Sequence, residues 1–173
     1  QKDAFHYDYD RLEREFTALY LNVPNKELVK SMILSEIARA SSNIHQRNRE
    51  DDALAELGKR AMYLWAYYKM VRLHGMSRPW LFYCTEVRHD LTSEVVFAWS
   101  QSVGFISKVR DSEPTANSEM RERLVSLRGF RVFLGILHAN LGHNAVVQFL
   151  DHTWKSWEQK SKSVDDGPET RRP

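Results

Sequence analysis

The chain has 173 residues, of which 42% are apolar and 28% charged, with a formal net charge of +2. That length favours one domain, able to bury roughly 70% of the surface its unfolded form exposes. One cysteine, Cys84, excludes an internal disulfide and a multi-cysteine zinc site, and the near-balanced charge argues against the dense positive stripe of a duplex-DNA binder.

Glycine (7) and proline (5) are scarce, which favours long helices over many turns. Phe5, Tyr9, Leu12, Phe16 and Leu19 recur at helical spacing, with Asp3 as a cap and Asn22-Val23-Pro24 as a stop. A second helix follows Asn25 with Leu28, Met32, Ile33, Ile37 and Ala40 inward, and fades in the polar stretch 41–52. Asp52 caps a third, whose stripe Leu54, Leu57, Ala61, Leu64, Tyr68 and Val71 is expected to face the core, and Gly75 ends it. Ser77-Arg78-Pro79 starts the next. Leu81, Cys84, Val87, Leu91, Val95, Trp99, Ser102, Ile106 and Val109 then keep one phase, as one helix or as two with a break near His89-Asp90 and Asp90 as the new cap. Cys84, beside Phe82, Tyr83 and Val87, reads as a small buried hydrophobe.

DSEPTANS, residues 111–118, is the clearest loop, and Asn117 or Ser118 opens a helix with Glu119 and Glu122 in its first turn. From Phe130 to Leu137 this helix is apolar nearly all round, as a buried helix is. Gly129 and Gly135 are expected to let neighbouring helices approach closely. Leu141-Gly142-His143-Asn144 stops it and begins a last helix to about Lys160, with Val146, Val147, Leu150, Trp154 and Trp157 on one side. The expectation is all-α: a single bundle of six to seven helices spanning 1–160, with a central apolar helix near 119–141 and a polar tail over 161–173.

The longest apolar runs, VFLGIL and WLFYC, fall far short of the ~20 residues that span a bilayer, so no transmembrane segment is expected. The chain opens on Gln1 rather than Met, as a cleaved or cut product does. An intracellular place is expected, and cleavage is compatible with an organelle such as the mitochondrion. A tail such as SVDDGPETRRP orders only when something holds it, which would imply a second chain.

Catalytic signatures are sparse. HExxH, Glu-x-x-His, phosphate-loop and nucleophile-elbow patterns do not occur, and the spacing of His138, His143 and His152 does not put all three on one face. No metal, cofactor or small-molecule substrate is therefore expected. Arg131 and His138, seven apart on one helical face, resemble the RNA-cleaving signature of the HEPN helical-bundle family. That resemblance implies an arginine that stabilises phosphate charge and a histidine that moves a proton. Val132 stands where that family usually has a polar residue.

The run KRAMYLWAYYKMVRLHGMSRPWLFY, residues 59–83, interleaves aromatics with Lys59, Arg60, Lys69, Arg72 and Arg78. Such mixing suits single-stranded nucleic acid, as in a nucleocapsid- or ribosome-associated module, provided these cations gather with Arg121, Arg123 or Arg128. Tyr63, Tyr67 and Met70 are surplus to the expected core stripe, and Trp157 falls at the end of the last helix. Aromatics, Met and Arg concentrate at interface centres. The expectation is a non-enzymatic structural or interaction subunit of a larger assembly, with other protein subunits as partners and Tyr63, Tyr67, Met70 and Trp157 as its contacts. Nucleic-acid binding and a ribonuclease using Arg131 and His138 are the alternatives.

Overall fold

The computed structural model describes residues 49–105 and 116–165, with residues 14, 27, 31 and 35 as isolated helical positions. These residues form five helices and no strand: α1 (Arg49–His74), α2 (Trp80–Asp90), α3 (Ser93–Val103), α4 (Ala116–Leu141) and α5 (His143–Asp165). The described part is all-helical, as expected, and none of its helices is long and apolar enough to cross a membrane. The two helices expected before residue 41, Ile106, Val109 and the end of the tail lie outside the described residues.

The most extensive packing is between α1 and α4. Glycine makes it possible. A methyl group at Gly58 would sit far inside van der Waals contact of the Arg131 carbonyl oxygen and 2.8 Å from Gly135 N. A methyl at Gly135 would collide in the same way with the Leu54 carbonyl, its carbon 2.7 Å away. The two backbones therefore touch at a crossing that no larger residue permits. Around it, α4 is buried on all sides: Phe130, Val132, Phe133, Leu134, Ile136 and Leu137 are all in the core.

The core stripe of α1 is displaced by about one residue, near 100° of helix rotation, from the expected one. Ala61, Met62, Trp65, Ala66 and Met70 are buried, whereas Leu64 is 44% and Tyr68 55% exposed. The physical reason is the crossing itself. A helix pressed against another backbone turns its small residues inward, so Gly58, Ala61 and Ala66 occupy the face that size and hydropathy assign to Leu64 and Tyr68.

Helix boundaries follow local chemistry. Gly75 and Gly142, at φ +70° and +83°, end α1 and α4 as expected, and their N–H groups donate to the Val71 and His138 carbonyls at 2.8 and 2.9 Å. Two caps differ. Pro79, in extended conformation, precedes α2 with no side-chain cap, and the turn before it is held instead by Tyr83. The Tyr83 hydroxyl donates to the Gly75 carbonyl and accepts from Arg78 N at 3.3 Å. The break after Asp90 is real, but Thr92 recaps the chain, its Oγ1 accepting from Val95 N at 3.3 Å. The third difference is at the end of α3, where Gly104 (φ +118°) stops the helix at Val103 and turns Phe105 inward.

The core is built on aromatic rings. Trp99, fully buried, lies 5.5 Å from Trp65, 5.0 Å from Trp154 and 5.3 Å from Phe130, centroid to centroid. Its indole N–H donates to Thr153 Oγ1 at 3.1 Å, and that hydroxyl donates onward to the Phe149 carbonyl at 2.8 Å. Phe105, Phe130, Phe133 and Phe149 continue the cluster across α4 and α5. Ring pairs at such tilted and edge-on geometries add about 0.5–1.5 kcal/mol each beyond the area they bury.

Candidate functional site

Residues 59–83 carry most of the candidate side chains, and α1 distributes them around its circumference. Arg60 and Lys69 are nine positions apart, which sets them about 180° from each other on the helix. Arg60 pairs with Glu56 at 2.9 Å on the solvent side. Lys59 is half-buried, and Arg78 lies with its guanidinium 5.1 Å above the Phe82 ring. Arg123 covers Phe97, and Arg128 pairs with Asp52 at 2.7 Å. Arg60, Arg78, Arg123 and Arg128 each meet a different partner; the side chain of Arg121 lies outside the described residues.

The surplus aromatics also separate. Met70, expected as a partner contact, is 7% exposed and packs in the core. The one-residue rotation of α1 places it there. Tyr63 is half-buried against the core. Tyr67 stacks on Trp80, 5.8 Å away and nearly parallel, and its hydroxyl donates to Cys84 Sγ at 3.5 Å. That hydrogen bond, and then burial, raise the phenol above its ordinary pKa. Trp157 packs on Trp154 at 5.1 Å, not alone at the helix end.

What the run leaves uncovered is the corner where α1 ends and α2 begins. Leu73, Met76, Trp80 and Leu81 are 70%, 87%, 72% and 71% exposed. Four large apolar side chains stand in solvent within nine positions. Leu81 was expected inside; at the first turn of α2 no neighbouring helix covers it among the described residues. Arg72 and Arg78, both exposed, border this corner.

On another side of α1 an open cleft of about 380 Å³ separates it from the start of α5. Trp65, Lys69 and Arg72 line the α1 wall, and His143, Val147 and Asp151 the α5 wall. Asp151 Oδ1 accepts the Trp65 indole N–H at 2.8 Å. Lys69 Nζ rests 4.7 Å from the Trp154 ring and 5.2 Å from the Trp65 ring. Partial burial lowers the pKa of this ammonium, against the opposing pull of Glu158, Asp90 and Asp151.

Arg131 and His138 do not form a pair. The α4 face that joins them carries Leu134 and Gly135, and α1 packs directly on it. The Arg131 carbonyl lies against Gly58, and its Nε is buried with no hydrogen-bond partner. His138 instead neighbours His143, ring centroids 5.6 Å apart. The α1–α4 backbone contact at Gly135 thus falls between these two positions on that face.

His143, weighed with His138 and His152, reads in the sequence as a residue at a helix terminus. Both its ring nitrogens are shielded from solvent without a hydrogen-bond partner, and burial, then His138, lower its pKa below the ordinary 6.5. The fold thus favours neutral imidazole, while the unfolded chain takes up a proton near pH 6.5. Between the lowered pKa and 6.5 the unfolded state binds more protons, so stability falls as pH falls through that window. The expected outcome is a melting temperature that drops on acidification below about pH 6.5 and a His143→Asn variant with a flatter profile. Equal pH sensitivity in the two proteins would assign the effect elsewhere.

No group of three or more His, Cys, Asp or Glu side chains placed to hold a metal occurs among the described residues. Compared with family models, curated proteins and solved structures, the chain matches none.

Proposed function

We propose that this chain is an interaction subunit that docks a partner protein on the corner between α1 and α2. The observation that carries this is the exposure of Leu73, Met76, Trp80 and Leu81 at 70% or more within nine positions. Isolated exposed apolar residues are ordinary, but a concentration of large ones marks an interaction surface. Trp80 is held in place by its stack on Tyr67, so it is presented rigidly, as interface anchors are. Arg78 at the border favours a partner with an apolar centre and an acidic rim.

The reading is tested by placing a photoreactive amino acid at Met76 and, as a control, at exposed Ala139, in the endogenous protein. Crosslinking to a defined protein from position 76 and not from 139 is expected, and it should be lost when Leu73→Ser and Leu81→Ser are combined. Both replacements leave the Tyr67–Trp80 stack intact and, being exposed, should change stability by no more than about 0.5 kcal/mol each. A native mass equal to one chain, with no crosslink from position 76, would overturn it.

A further inference from the structure

The cleft between α1 and α5 is separate from the docking corner and has chemistry of its own. Lys69 and Arg72 stand three positions apart on α1, near enough to act on one ligand group. Lys69 is unusual in its position. It falls on the core-facing side of α1, between Trp65 and Met70, and is half-buried there. Removing an ammonium from water is costly unless something faces it; here two indole rings lie against it, and Glu158, Asp90 and Asp151 act on it at longer range. The opposite wall is the first turn of α5, which begins at His143 and carries no acidic residue. Its backbone N–H groups add partial positive charge. Asp151 is the one carboxylate lining the cleft, and one of its oxygens is committed to Trp65 Nε1. Trp65, Tyr68 and Val147 supply apolar surface beside these charges.

We infer that this cleft binds a small aromatic oxyanion, with its anionic group on Lys69 and Arg72 and its ring against Trp65 and Tyr68. Two adjacent cations favour a doubly charged phosphate over a carboxylate, because charge-assisted bonds form to both. The volume, about 380 Å³, is in the range of small-ligand pockets. The inference does not depend on the proposed partner surface: the ligand would be held by charge in a cleft, whereas the corner presents exposed apolar side chains.

The test is calorimetric titration of the full chain with phenyl phosphate, benzoate and benzyl alcohol at constant ionic strength. Saturable binding is expected for phenyl phosphate, weaker binding for benzoate, and none for the neutral alcohol. Arg72→Gln, at an exposed position, should weaken phenyl phosphate binding roughly tenfold, the equivalent of one lost charge-assisted hydrogen bond. Lys69→Met keeps the stem against the two indoles, removes the charge and should weaken binding at least as much. Arg60→Gln, on the opposite side of α1, should leave it unchanged. Absence of saturable phenyl phosphate binding, alcohol binding as tight as the anions, or equal effects of Arg60→Gln and Arg72→Gln would each overturn the inference. Arg72→Gln keeps the test decisive even if Lys69→Met fails to fold.

Discussion

Gly58→Ala is expected to destabilise the chain by about 2 kcal/mol or more, although the same change at an exposed helical site would stabilise it. Alanine gains about 1 kcal/mol over glycine inside a helix. Against this stands a methyl group driven into the Arg131 carbonyl, with Gly135 N 2.8 Å away. Those are backbone atoms of a buried helix, and they cannot rotate aside as a side chain does. Overpacking of this kind costs about 1–3 kcal/mol and more where nothing yields, so the clash outweighs the propensity gain. Gly135→Ala should behave alike, since its methyl meets the Leu54 backbone at the same crossing. The double variant should cost less than the two single costs together, because helices already forced apart accommodate the second methyl. Gly142→Ala is the contrast: nothing lies within 4 Å, and only its φ of +83° opposes a side chain, a penalty of about 1–2 kcal/mol. Urea-denaturation midpoints measure all four. A Gly58→Ala protein more stable than the parent would show that α1 and α4 do not cross there.

Trp99→Ala should be the most damaging truncation among the described residues, at about 3–5 kcal/mol. The indole is fully buried and lies within 5.5 Å of three other aromatic rings, so its loss leaves a cavity that rigid rings cannot close. Domain stability is only about 5–15 kcal/mol in total, so this variant sits near the limit of folding at physiological temperature. Thr153→Val isolates the polar part. It keeps the volume but leaves the buried indole N–H without the acceptor now 3.1 Å away, at a cost of about 1–3 kcal/mol. Loss of near-ultraviolet circular dichroism, together with a lowered denaturation midpoint, reports both effects. A Trp99→Ala midpoint within error of the parent would remove Trp99 from the centre of the core.

Much of the helical organisation was legible because it depends on short-range chemistry. Gly75 and Gly142 mark helix ends in the sequence, since a left-handed residue after a helix favours glycine. The apolar run from Phe130 to Leu137 announces a helix buried on every side, and α4 is that helix. The break after Asp90 was readable as well, although its cap was not: Asp90 and Thr92 are both cap-forming residues, and only the course of the chain selects between them.

The candidate sites were less legible. Tyr63, Tyr67, Met70 and the five cations of 59–83 form one block in sequence, yet a helix divides such a block among a core face, a cleft and solvent. Hydropathy weighs Leu64 and Tyr68 as core residues and gives no weight to Gly58, which in fact sets how α1 turns. His143 carries no motif, and its shielding exists only where α4 meets α5. The exposed corner was nearly invisible for the opposite reason: Leu81 reads as a position of the apolar stripe, and apolar residues are expected inside.

By itself the sequence determined the helical class, most helix ends and the burial of the α4 centre, since these follow from periodicity, turn chemistry and composition within a few residues. Only the tertiary structure decided which side of α1 faces the core, that α1 packs on the α4 backbone at Gly135, and that Lys69 meets Arg72 and the start of α5 in one cleft. Each of these depends on the distance and rotation of one helix against another. That relation is set by backbone contact at Gly58 and Gly135, between residues far apart in the chain.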